Sequence, residues 1–124
     1  MKSLGTLSVV AHLPRSIERL SELAYNLWWS WNPVAQALYR DIDADLWDAV
    51  NHNPVKFLRR VSQEKVARAA EDRAYLTRYT GVMDAFDTYM HPVRVWYQTP
   101  HPHMSVRTIA YFSAEFGLHE SLPI

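Results

Sequence analysis

The order of apolar and polar positions divides the chain into helices before any other property is considered. Counted at about 100° per residue, Ile17, Leu20, Leu23, Ala24, Leu27, Trp28 and Trp31 share an arc about 140° wide. That is the core-facing stripe of an amphipathic helix, and it predicts one over 14–31 with Pro14 in its first turn. Trp28 and Trp31 are expected in the core. Trp29 projects about 100° off that stripe, on the side of Tyr25, Glu18 and Glu22. Tyr25 and Trp29 are four residues apart and can stack. Two readings stay open: a second core layer under the following helices, or an exposed aromatic platform for a sugar ring or another domain.

The next elements follow from their start signals. Asn32-Pro33 reads as N-cap and first helical residue, opening a short helix over 33–40 with Arg40 in its last turn. Acidic residues start another turn over 43–50. Asn53-Pro54 repeats the signal and opens 54–61, so the chain reads as short, angled helices meeting at corners. Ser62 is the expected N-cap of the longest helix, 63–90, with Glu64 in its first turn. Leu76, Tyr79, Met83, Phe86 and Met90 form a heptad-like seam, suited to crossing the first helix. Gly81 weakens the middle of this helix, and His91-Pro92 ends it. Residues 1–13 read as an extended lead-in.

Beyond residue 90 the pattern changes. Pro92, Pro100 and Pro102 lie among Trp96, Tyr97 and three histidines, which reads as a linker with aromatic anchors over 91–107. Residues 107–113 form a short apolar, aromatic run expected to be a buried strand. A lone strand would leave an unpaired edge, so the chain reads as a fragment of something larger. The expected fold class is mainly α: a helical unit over 1–90, the linker, and a C-terminal β-strand and turn over 108–124.

Composition narrows the function. The chain has 124 residues, 48% of them hydrophobic, enough for a core. Thirteen basic residues balance thirteen acidic ones, which gives no electrostatic case for nucleic acid or an anionic membrane. With no cysteine, a disulfide framework and a thiolate metal site are excluded. The N-terminal run is a poor signal peptide, because Gly5, Thr6 and Ser8 interrupt it, and no segment approaches a membrane-spanning length.

The stretch Ile109-Ala110-Tyr111-Phe112-Ser113-Ala114-Glu115-Phe116-Gly117-Leu118-His119-Glu120-Ser121-Leu122-Pro123-Ile124 resembles the opening of the catalytic region of bacterial α-glucan (glycogen) phosphorylases. Asn26-Leu27-Trp28-Trp29-Ser30-Trp31-Asn32-Pro33, with Asn53-Pro54-Val55 and Leu58, resembles the extra N-terminal helical domain of that family. The resemblance covers essentially the whole chain. It implies a cytoplasmic glycosyltransferase with two Rossmann-like lobes of the GT-B type. Such an enzyme uses pyridoxal phosphate to cleave α-1,4-glucan with inorganic phosphate, releasing glucose 1-phosphate. In the family, the glycine loop, the cofactor lysine and the phosphate-binding basic residues lie beyond the position of Ile124. The chain alone is therefore expected to be inactive and to carry no cofactor. Its expected partners are the remainder of the phosphorylase chain or a second subunit.

Candidate chemistry is sparse. Glu115 follows the expected strand, where open α/β sheets present ligand groups. It could bond a sugar hydroxyl or pair structurally with a missing basic residue, and His119 and Glu120 border the same turn. His91, His101 and His103 suggest a metal only weakly, since no acidic or thiolate ligand follows. Asp41, Asp43, Asp45 and Asp48 lack the glycine and closing glutamate of a calcium loop and read as helix starters. Glu18 and Glu22 read as solvated surface. The interface candidates are Tyr25, Trp29, Trp96 and Tyr97. Two function classes follow: a phosphorylase fragment whose helical part is a structural, interdomain or oligomerisation module, or a carbohydrate- or protein-binding module using exposed aromatics.

Overall fold

A computed structural model describes residues 10–93 of the chain. Among them are six α-helices, two 3-10 turns and no strand. The order is a 3-10 turn at Arg15–Ile17, α1 (Leu20–Ala24), a 3-10 turn at Leu27–Trp31, α2 (Pro33–Ile42), α3 (Ala44–Ala49), α4 (Pro54–Arg60), α5 (Gln63–Glu71) and α6 (Arg73–Met90). The expected linker from residue 94 onward and the expected C-terminal strand lie outside the described residues. So do Trp96, Tyr97, His101, His103, Glu115, His119 and Glu120.

Five of the six helices begin at a side-chain cap. Asn32 accepts from the amides of Val34 and Ala35, Asp43 from Leu46, Asn53 from Lys56, Ser62 from Lys65, and Asp72 from Ala74 and Tyr75. Each carries non-helical backbone and satisfies amides that have no partner within the helix. Pro33 and Pro54 occupy the position after their asparagines, as the sequence predicts.

Two expected helices are broken by the same chemistry. The single helix over 14–31 does not form. Asn26 turns extended, with φ −113° and ψ 123°, and its side-chain oxygen accepts from the Trp28 amide. A short polar side chain bonding its own backbone competes with helix continuation. Downstream, the expected 63–90 helix is interrupted at Asp72, which caps α6. Gly81 makes no break, since α6 runs through it from Arg73 to Met90. Residues 10–13 form no strand. Instead the Gln63 side chain holds the His12 backbone, accepting from its amide at 2.7 Å and donating to its carbonyl at 2.9 Å.

The break at Asn26 redistributes the tryptophans. Ile17, Leu20, Leu23, Ala24 and Trp28 are buried as the stripe predicts, but Leu27 and Trp31 are exposed, Trp31 at 60%. In a 3-10 turn, residues three apart eclipse one another. Trp31 therefore rides outside Trp28 instead of entering the core. Trp28 packs on Phe86 of α6, with ring centroids 5.4 Å apart. Trp29 turns the other way, against Trp47 of α3 at 6.2 Å, and is 3% exposed. It is a core residue.

On the α3 side, Trp29, Tyr39, Trp47 and Phe57 form one aromatic nest. Tyr39 stacks on Trp47 at 5.4 Å, and Phe57 meets both rings edge-on. Asn51 and His52 close this side with positive φ, 53° and 57°. That backbone costs non-glycine residues energy, least for Asn. The turn returns a bond from the His52 amide to the Trp47 carbonyl and lays the His52 ring on Trp47 at 5.3 Å. On the other side, Tyr79, Met83 and Phe86 of the α6 seam are buried, Leu76 is half-buried and Met90 is exposed.

Candidate interface

No catalytic constellation is assembled among the described residues. No group of three or more His, Asp or Glu residues is placed to hold a metal ion there. The acidic residues have structural work. Asp43 caps α3 and meets Lys65 at 2.6 Å, Asp41 meets Arg78 at 3.1 Å, and Asp48 meets His52 at 2.9 Å. The hydrogen bond from Lys65, then that from the Leu46 amide, hold the Asp43 carboxyl below its ordinary range against the opposing effect of desolvation. A carboxylate favoured in its charged form is a poor proton donor at neutral pH. Glu18 is exposed, and Glu22 accepts from Arg19 Nε at 2.7 Å, so the two form no working pair.

Sequence reasoning missed the Arg19 clasp. Its guanidinium donates to both carboxylate oxygens of Asp87, at 2.9 and 2.6 Å, joining the first turns to the last turn of α6. The bidentate bond lowers the Asp87 pKa and raises that of Arg19. Three tyrosine hydroxyls were missed as well. Tyr39 donates to the Leu20 carbonyl at 2.9 Å, and Tyr75 to the Leu38 carbonyl at 3.1 Å. Tyr79 accepts from the Arg19 amide at 3.2 Å. Burial raises the pKa of all three. They are neutral bridges between elements.

Clefts among the described residues include one polar and two apolar. The polar cleft, about 170 Å³, is lined by Asp41, Lys65, Arg68, Asp72, Tyr75 and Arg78 among others. Each of its cations already meets a carboxylate: Lys65 with Asp43, Arg68 with Glu64, and Arg78 with Asp41. An anion would have to displace those partners. Tyr25, 57% exposed, borders an apolar cleft of about 170 Å³ with Val10, Leu13, Val55 and Leu58. It does not join Trp29 in a platform, because Trp29 is buried on the other side of the Asn26 break. The second apolar cleft, about 310 Å³, runs between Val34 and the Gly81–Ala85 face of α6.

Among the described residues, an exposed aromatic feature lies at the end of α6. Trp31 meets Tyr89 edge-on at 6.4 Å, and Tyr89 reaches Trp28 at 6.3 Å. Met90 is 44% exposed, and its sulfur accepts from the Asn26 amide group at 3.4 Å. Val93 follows, almost fully exposed. Aromatic and methionine side chains on a rigid helix end suit protein contact better than chemistry. Sequence periodicity hid this patch by assigning Trp31 and Met90 to the core.

With this geometry in view, the comparisons with known proteins are specific. The family model described as a protein of unknown function (DUF3417) matches residues 13–122. The chain belongs to the DUF3417 family. Residues of this DUF3417 chain are 36% identical to a maltodextrin phosphorylase of Thermococcus litoralis over 116 residues, covering 94% of this chain and 14% of that protein. A glycogen phosphorylase of Aquifex aeolicus is 36% identical over 107 residues, covering 86% of this chain and 14% of the relative. One from Mycobacterium tuberculosis is 35% identical over 128 residues, covering 99% and 15%. The DUF3417 chain thus spans about one seventh of the length of the curated relatives it matches. No solved structure matches it. No described helix is long and apolar enough to cross a membrane.

Proposed function

We propose that this chain is the N-terminal region of an α-glucan phosphorylase, and that residues 10–93 act in it as a structural module between domains or subunits. The whole polypeptide would cleave α-1,4-glucan with inorganic phosphate in the cytoplasm and release glucose 1-phosphate. The observation that carries this reading is the similarity to glycogen and maltodextrin phosphorylases over 86–99% of the chain. The engaged polar groups support a non-catalytic role for the helical part. Its carboxylates, cations and tyrosine hydroxyls cap helices or bridge elements, while an aromatic surface is left for contact.

Pyridoxal phosphate would belong to the rest of such an enzyme. The described residues do not fit it: Lys65 is bound to Asp43 and Lys56 lies on a half-exposed helix face, so neither offers an amine in an enclosed site.

The test has two arms on the complete polypeptide that carries this region. Release of glucose 1-phosphate from maltodextrin and phosphate supports the phosphorylase reading, and its absence overturns it. Deleting residues 1–93 then tests the module. A changed oligomeric state, thermal midpoint or turnover on long glucans supports it, and no change in any of the three overturns it. A separate binding reading is favoured by the exposure of Trp31 and Tyr89. Retention of the isolated chain by immobilised glucan, lost in Trp31→Ala, would select that reading.

A further inference from the structure

We propose that the apolar cleft beside α4 is a docking site for an acidic segment bearing one apolar anchor, supplied by the remainder of the polypeptide that carries this region. Its walls come from residues 10–13, α1 with its capping residue, and α4. Leu13, Val55 and Leu58 are half-buried there, while Val10 and Tyr25 are exposed. The space measures about 170 Å³. A cavity of about 150 Å³ holds a benzene ring, so one large apolar side chain fits. Among the described residues that line the cleft none is acidic, and Arg59 is a cation.

Charge complementarity names the occupant. Elsewhere the cations are engaged: Arg19 meets Asp87, Lys65 meets Asp43, Arg68 meets Glu64 and Arg78 meets Asp41. Arg59 and Arg60 stand side by side, exposed, in the last turn of α4, and meet no carboxylate among the described residues. Lys56 is a third cation on α4, which holds no acidic residue, in a chain whose charges balance overall. The helix dipole favours cations at that end, which accounts for their sign and leaves their outer faces open to an anion. Guanidinium groups take carboxylates in a two-pronged bond. A free inorganic anion would leave the apolar walls unused, and a nucleic acid would meet a chain of no net charge. A peptide with carboxylates beside an apolar side chain uses both halves of the surface.

The relatives are matched over only 14% or 15% of their length, so most of such a polypeptide lies outside this region and is tethered to it. A tether raises the effective concentration of an occupant on the same chain above that of one free in solution. The docking rests on the reading of the chain as one region of a longer phosphorylase. Failure of that reading shows as absent release of glucose 1-phosphate, whereas failure of the docking leaves release intact.

Chemical modification of the complete polypeptide, set against the 124-residue chain, tests the docking. Phenylglyoxal should modify Arg59 several-fold more slowly in the complete polypeptide, with Arg73, exposed on α6, reacting equally in both. Nitration of Tyr25 by tetranitromethane should slow in parallel, with the fully buried Tyr39 unreactive throughout as the control for folding. In an Arg59→Glu, Arg60→Glu double variant of the complete polypeptide, Tyr25 should return to the rate of the 124-residue chain. Sodium chloride at about 1 M should do the same in the parent, since it screens exposed charges beyond about 3 Å, and it decides the question if the variant makes Tyr39 reactive. Equal rates for Arg59 and Tyr25 in the two proteins overturn the proposal. Protection that survives both charge reversal and salt overturns it too, because the occupant is then not acidic. Protection that depends on protein concentration overturns it in favour of a second copy.

Discussion

Trp29 and Trp31 stand two positions apart and end in opposite surroundings. Trp29 enters the nest with Tyr39, Trp47 and Phe57, whereas Trp31 sits outside with Tyr89 and Met90. Both groups are aromatic and both rest on helices. The nest is closed on every side by α2, α3, α4 and the Asn51–His52 turn. Among the described residues, the patch rests on Trp28 and Asn26 and is otherwise exposed. Aromatic density therefore says little about whether a cluster is core or surface. What decides is whether a second element can reach over it.

That contrast can be broken by mutation, starting with the nest. Trp47→Ala should lower stability by about 3–5 kcal/mol in a urea titration, because it empties the centre against which Trp29, Tyr39, Phe57 and His52 pack. A loss below about 1 kcal/mol would mean the nest is not closed. Tyr39→Phe should cost about 1–3 kcal/mol, since the buried Leu20 carbonyl loses its donor while the stacked ring remains. Replacing Asn53, 1% exposed, with Ala removes the α4 cap and should cost about 1–2 kcal/mol. Trp31→Ala, by contrast, should change the stability of the helical unit by no more than about 0.5 kcal/mol, as at other surface sites. Equal losses for Trp31→Ala and Trp47→Ala would erase the distinction between the two regions.

The smallest effect expected is electrostatic. Lys65 holds the Asp43 pKa below its unfolded value near about 3.9, so this pair stabilises the fold above that pH. Its contribution is lost as pH falls from there through the folded value. Asp87, lowered by Arg19, acts with the same sign. Asp43→Asn keeps a capping side chain but removes the charge, and should flatten the acid limb of a stability–pH curve. An acid limb identical to the parent's would show that the Lys65 pair contributes nothing measurable.

Much of this architecture was legible because its signals are local. Asn32-Pro33, Asn53-Pro54 and Ser62 announce helix starts without reference to anything distant, and all three cap as read. The family resemblance was legible for a related reason, being carried by contiguous stretches. Periodicity failed at Asn26 and Asp72. There a polar side chain bonds amides two or three residues ahead, and an apolar stripe is blind to such a bond. The failure moved Trp31 out of the core and Trp29 into it. The Arg19–Asp87 clasp and the Tyr39 and Tyr75 bridges join residues 19 to 68 positions apart, so no local pattern could announce them. Among the proposed site residues, Tyr25 is at the surface and Trp29 is not, while the others lie outside the described region.

The bridging hydroxyl of Tyr39 has a kinetic consequence. Its side chain is fully enclosed, and burial pushes its ionisation well above the ordinary tyrosine range. Hydroxide reaches the proton only when the contact between α2 and the Leu20 carbonyl opens. After a jump to alkaline pH, the enclosed Tyr39 ionises only after an opening event. The slow rise in tyrosinate absorbance is then a clock for that opening, read without any introduced label. In Tyr39→Phe the slow component attributable to this ring should vanish.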